Sequence, residues 1–183
     1  TLKVNYYNVG NLDFSAESDA QIVINGESRN ISDNTYRTRD DNIKGGALSD
    51  TINSIDGNDI VAGNAGNDII NAGKGDDVVT GDAGDDTLNL GEGNDTVTGG
   101  EGNDTIDGGA GIDIAIFSGD KADYSISTTI SGLTETITVS GKDGADTLSN
   151  IETLRFDNGD LDVRPVGRTI KDSGQGIFAP IMG

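Results

Sequence analysis

The chain has no cysteine, no histidine and no tryptophan. Without cysteine it forms neither disulfides nor a thiolate zinc site. Without histidine it cannot build an HExxH metalloprotease site, a Ser-His-Asp triad or a histidine-ligated haem, and no GxSxG occurs either. No run approaches the roughly 18 apolar residues of a membrane span, so membrane insertion is not expected. Bases are scarce: 12 Lys and Arg stand against 32 Asp and Glu, a formal net charge of −20. That balance excludes nucleic acid and anionic membrane surfaces as natural partners and favours cations. Apolar mass is scarce as well. Leu, Ile, Val and Phe make up 43 of 183 residues, near the zone where a highly charged chain buries too little surface to fold. Stability must therefore come from something the chain binds. Thr1 opens directly on a strand-like run with no signal peptide, so a mature or excised fragment is expected.

What the chain does have is aspartate in a fixed rhythm. Asp41, Asp50, Asp59, Asp68, Asp77, Asp86, Asp95, Asp104 and Asp113 recur every nine residues. Each is followed two places later by an apolar residue: Ile43, Ile52, Val61, Ile70, Val79, Leu88, Val97, Ile106 and Ala115. In register, the units begin at Tyr36, Gly45, Ser54, Gly63, Ala72, Gly81, Leu90, Gly99 and Gly108; the best preserved read GNAGNDIIN, GDAGDDTLN, GGEGNDTVT and GGAGIDIAI. A glycine precedes the Asp by two places at Gly57, Gly66, Gly75, Gly84, Gly93, Gly102 and Gly111. A sharp loop that aims carbonyl oxygens at a cation needs backbone that glycine tolerates best. The Asp adds a hard anionic oxygen suited to Ca²⁺. The three residues that follow suffice for a short strand turning one aliphatic inward. No single unit can bury that aliphatic or complete a coordination shell, so units must stack. A disordered Gly/Asp tract has no reason to place an aliphatic at every ninth position. EF-hand loops and the phosphate loop G-x-x-x-x-G-K-[ST] are both missing.

The pattern G-G-x-G-x-D-x-U-x, with U a large aliphatic, resembles the calcium-binding repeat of the RTX (repeats-in-toxin, haemolysin-type) family. That resemblance implies an all-β fold, a right-handed parallel β-roll (a β-helix or solenoid) in which two nonapeptides make one turn and each ion lies between loops two units apart. Asp68, Asp86 and Asp104 then line one edge, and Asp59, Asp77, Asp95 and Asp113 the other. With the seven loop glycines, Asp50 and Asp146, these are the expected metal-site residues. Roughly four to six Ca²⁺ ions are expected. Degenerate units grade the array: Arg37 and Arg39 stand where glycines belong, as do Leu48 and Ile55 in the next two units. Calcium loops are therefore expected chiefly from Asp59 onward, after an N-terminal capping rung. Between Asp and U, where a side chain should face outward, stand Ile60, Ile69 and Val78, then Thr87, Thr96 and Thr105. An apolar outer stripe covered by residues 1–35 or by a partner chain is expected there.

Four segments follow. Residues 1–35 form an N-terminal β cap or the remnant of a preceding domain, with strands at 2–7 and 20–24 and a hairpin turn at Asn25-Gly26 before a strand at 27–31. Residues 36–116 form the roll. Residues 117–163 form a C-terminal β capping module: a hairpin over 123–140, one more nonapeptide, GKDGADTLS, out of phase at 141–149, and then NIETLRFDNGDLDV. The run resembles the cap that closes β-rolls in secreted RTX proteins, with Ile151, Leu154 and Phe156 covering the last rung. Asp143 and Asp146 are either a further calcium site or surface acids in a turn. The tail, 164–183, is expected to be poorly ordered and, by the resemblance, to serve type I secretion. The expected function is a secreted, extracellular bacterial calcium-binding module, not an enzyme, that folds on calcium outside the cell and stabilises a larger protein. The alternatives are an adhesin that binds a glycan, a cell surface or a neighbouring chain, and a non-catalytic appendage of a secreted enzyme.

Overall fold

The structure, a computed structural model, describes residues 2–7, 12–13, 22–27, 40–132 and 134–163; the expected tail lies outside them. Within each unit the U residue points inward and the residue before it outward, as the alternation of extended backbone requires. The repeat strands are β4 (Asn42–Lys44), β5 (Thr51–Asp56), β6 (Ile60–Ala65), β7 (Ile69–Lys74), β8 (Val78–Ala83), β9 (Thr87–Glu92), β10 (Thr96–Glu101), β11 (Thr105–Ala110) and β12 (Ile114–Ile116). Successive units alternate between two sheets. Each strand pairs in parallel with the one 18 residues on, so that Ile52, Ile70, Leu88 and Ile106 stack in one sheet and Ile43, Val61, Val79, Val97 and Ala115 in the other. All nine are buried in one continuous core. Burial of each large aliphatic contributes about 1.5–3 kcal/mol. The result is an all-β parallel roll, as the repeat implies.

The described part of the N-terminal segment continues this stack. Strands β1 (Leu2–Tyr7) and β3 (Ile22–Glu27) pair in parallel and add to β5, while β2 (Leu12–Asp13) adds to β4. No hairpin turns at Asn25-Gly26: both residues lie inside β3, in register with Asn5 and Tyr6. A two-residue turn signal loses to parallel pairing along the whole strand; residues 28–31, read as its partner, lie outside the described residues.

At the other end the chain leaves the roll after β12. Hairpin β13 (Ser125–Ser131) and β14 (Thr134–Gly141) returns antiparallel to β15 (Gly144–Ser149), which pairs in parallel with β11. Strand β16 (Thr153–Phe156) pairs in parallel with β12 and antiparallel with β17 (Gly159–Asp162). Both sheets thus end in antiparallel strands. Phe117, Tyr124 and Phe156 meet with ring centroids 5.5–5.6 Å apart, and Ile151, Leu154 and Phe156 are buried beside them.

The outer apolar residues do not form one covered stripe. Ile60 and Val78 are neighbours on one sheet, whereas Ile69 faces out of the opposite sheet between Thr51 and Thr87. They are 53%, 45% and 46% exposed. The described strands of residues 1–35 do not supply the expected cover, because they extend the sheets edge to edge instead of lying across them.

Candidate metal centre

Because units alternate between sheets, their loops line two opposite edges. One edge carries Asp59, Asp77, Asp95 and Asp113; the other carries Asp50, Asp68, Asp86 and Asp104. Along each edge the Asp side chains form a ladder. The N–H of Asp59 donates to Asp77 Oδ1, that of Asp77 to Asp95 and that of Asp95 to Asp113, at 2.7–2.9 Å. The second edge repeats this from Asp50 through Asp68 and Asp86 to Asp104.

Loop geometry depends on the glycines. Gly57, Gly66, Gly75, Gly84, Gly93, Gly102 and Gly111 all have φ between 117° and 153°, and from Gly75 onward a Cβ would strike the carbonyl of the glycine one turn earlier. Outside this shell a second ladder runs through the residue before each Asp. The N–H groups of Asn58, Asp76, Asn94 and Ile112 donate to the side chains of Asp40, Asn58, Asp76 and Asn94. On the opposite edge Ser49, Asn67, Asp85 and Asn103 accept in the same way.

One carboxylate oxygen per loop is left over. Oδ2 of Asp59, Asp68, Asp77, Asp86, Asp95, Asp104 and Asp113 is buried without a hydrogen-bond partner. Asp50 differs, because its Oδ2 accepts from the N–H of Gly46 at 2.6 Å. An unpaired carboxylate oxygen in low dielectric is costly. Burial accordingly pushes Asp68, Asp77 and Asp113 up to about 7 and Asp86 up to about 6. The backbone N–H each carboxylate receives offsets part of this, and neighbouring carboxylates add to it. Asp59, Asp95 and Asp104 are raised for the same first reason.

The leftover oxygens of Asp68 and Asp86 face main-chain oxygens. A Cβ on Gly63 would meet Asp68 Oδ2 and lie 2.8 Å from the Gly81 carbonyl; one on Gly81 would meet Asp86 Oδ2 and lie 2.6 Å from the Gly99 carbonyl. A carboxylate and a carbonyl aimed at one small space repel unless a cation lies between them, and an all-oxygen set suits a hard cation such as Ca²⁺. Among the described residues no three acidic side chains converge on a point, so each cation would be held by few carboxylates and several carbonyls. The residues fit calcium.

A family model described as RTX calcium-binding nonapeptide repeat (4 copies) matches residues 37–69, 53–88 and 80–115. Residues 37–115 are RTX calcium-binding repeats. No curated protein matches the chain. The RTX array also has successors that lie outside its period. Asp146 Oδ1 accepts the N–H of Asp104 at 3.0 Å, and Gly144, with φ 138°, stacks on Gly102 as the RTX glycines stack on one another. Asp143 instead accepts from Tyr124 Oη at 2.7 Å, which helps push the tyrosine up to about 12, after burial. On the other edge Glu152 Oε2 accepts the N–H of Asp113 at 2.8 Å. The sequence reading missed Glu152. Its signal was Glu152-Thr153-Leu154, the acid-x-aliphatic triplet of the RTX unit, hidden by the longer acid and by the lost period.

Proposed function

We propose that this chain is a calcium-triggered folding module of a larger secreted protein, exported unfolded by type I secretion from a bacterial cell and ordered outside it. The observation that carries the reading is the row of buried, unpartnered Asp Oδ2 atoms inside RTX loops. Bound calcium supplies the positive charge that these oxygens lack. Asp59, Asp68, Asp77, Asp86, Asp95, Asp104 and Asp113 provide the carboxylates, and the loop glycines bring neighbouring carbonyls close enough to complete the shell. Asp50 and Asp146 flank the second edge, for roughly four to six ions in all.

Linkage gives the switch its size. Ions that bind the stacked state and not the unfolded chain stabilise it by RT ln(1 + [L]/Kd) per site. At roughly millimolar extracellular calcium, sites of 10⁻⁴ to 10⁻³ M contribute about 0.4 to 1.4 kcal/mol each. Several stacked sites convert these increments into a cooperative transition. In a calcium-poor cytosol the excess of acids, a net charge of −20, keeps the chain expanded and exportable. Circular dichroism during a calcium titration tests this: strand signal should rise cooperatively over the millimolar range, and a signal already complete in chelator would refute the switch.

The module reading needs no catalytic group here, and among the described residues no helix is long and apolar enough to cross a membrane.

A further inference from the structure

At its C-terminal end the RTX array runs out of units, yet one edge still brings a buried carboxylate oxygen and a main-chain carbonyl together over a glycine. Asp113 is fully buried, its Oδ1 accepts the N–H of Asp95 at 2.9 Å, and its Oδ2 has no hydrogen-bond partner. A Cβ on Gly108, the first residue of the same loop, would strike the Asn150 carbonyl and lie 2.7 Å from Asp113 Oδ2. In the interior units of the opposite edge that carbonyl comes from the glycine 18 residues on, Gly81 for Gly63 and Gly99 for Gly81. Here it comes from residue 150, outside the repeat.

The cap residues are built to hold it there. Asn150 sits in the left-handed region, φ 52°, and its Nδ2 donates to Asp107 Oδ1 at 2.7 Å, which anchors the turn to the last full unit. Glu152 accepts the Asp113 N–H, and the N–H groups of Glu152 and Thr153 return to the Asp113 carbonyl at 3.2 and 3.1 Å. The preceding loops on this edge begin with the buried side chains of Ser54, Ala72 and Leu90; at Gly108 that space is given to oxygen. The opposite edge ends differently. Around the corresponding point at Gly99 the nearest atoms all belong to Asp104, and a groove of about 450 Å³ lies alongside, lined by Phe117, Asp143 and Asp146 among others.

We propose that the last calcium site on this edge is shared between repeat and cap: Asp113 Oδ2 and the Asn150 carbonyl converge over Gly108, so that cation binding locks residues 150–153 onto the end of the roll. The inference rests on the calcium-module reading and adds a terminal site made by residues outside the repeat. Cap closure then becomes part of the calcium response and not a consequence of packing alone.

The test is Gly108→Ala, whose methyl would push the two oxygens apart; Gly108 needs no left-handed φ, so the backbone itself accepts alanine. Equilibrium dialysis should find one calcium fewer per chain than in the parent. Hydrogen exchange should show calcium-dependent protection of the Glu152 and Thr153 amides lost, while that of Thr87 and Thr105 is kept. Should the alanine prevent folding, Asp113→Asn, which keeps size and the acceptor for Asp95, must lose the same ion and the same protection. Unchanged stoichiometry and protection in both variants overturns the terminal site and leaves the module reading standing. A parent chain that binds no calcium overturns both.

Discussion

The interior of the roll and its C-terminal cap solve one problem with different sequences. Inside, each rung lies 18 residues from the next, and Asp, glycine and aliphatic arrive together. At the cap the next acids stand 42 and 39 residues on, at Asp146 and Glu152, after the chain has made an excursion through β13 and β14. The receiving rung is nevertheless served in the same way: an acid oxygen for its N–H, an aliphatic, Leu148 or Leu154, for the core, and on one sheet a glycine, Gly144, for close approach. What a rung demands is chemistry at positions in space. The nine-residue period is one way of meeting that demand, and the cap meets it without the period.

The comparison breaks first on the glycines. Gly75 combines φ 125° with a Cβ that would run into the Gly57 carbonyl, whereas Gly159 in the cap has φ 131° and nothing within 4 Å of its Cβ. In saturating calcium, urea denaturation of Gly75→Ala should show a loss above about 3 kcal/mol, against about 1 kcal/mol for Gly159→Ala. Equal losses would mean that stacking contributes nothing beyond backbone strain.

The aliphatics sharpen it. Leu88 and Leu154 are both fully buried, one in the array and one in the cap. If the cap is a true rung, Leu88→Ala and Leu154→Ala should each cost about 2–5 kcal/mol in one shared unfolding transition. A separate early transition in Leu154→Ala would show the cap to be an independent unit.

Acidity separates protons from calcium. Folding raises Asp68, Asp77 and Asp113 to about 7, and Asp86 and Asp146 to about 6, above the ordinary value of about 4. The folded chain therefore binds more protons than the unfolded one between those values. In chelator, the stability due to these groups is present below about pH 4 and is lost as the pH rises through 6 to 7. In chelator, the residual strand signal in circular dichroism should fall from about pH 5 to about pH 8, whereas the calcium-dependent increment should grow over the same range. A calcium increment independent of pH would argue against carboxylate ligands.

The smallest expected effect is a gain. Ile55 holds φ 86° at a position where Gly73, Gly91 and Gly109 serve the later units of the same sheet. A β-branched residue is poorly suited to that region. Ile55→Gly should raise stability by about 1 kcal/mol in calcium, read from the same urea curves.

Much of this was legible in the chain. The Asp column, the U column and the glycine before each Asp define the strands, the inward face and the row of candidate carboxylates, because each is a local requirement repeated until chance is ruled out. Ile55 was legible too, as a misfit. The assignment of units to sheets was harder to use. Ile60, Ile69 and Val78 look like one stripe on paper and lie on two faces, since consecutive units alternate. The Asn25-Gly26 turn was outcompeted by parallel pairing, which no two-residue signal reports.

The sequence by itself determined that this protein is a stack of calcium-type loops with one aliphatic per rung, since period and residue type are local properties of the chain. Only the tertiary structure decided which oxygens are left without partners, and that Asn150 and Glu152 extend an edge whose period has ended. Those are meetings between residues about 40 apart, set by where the sheets need their next strand and not by anything adjacent in the chain.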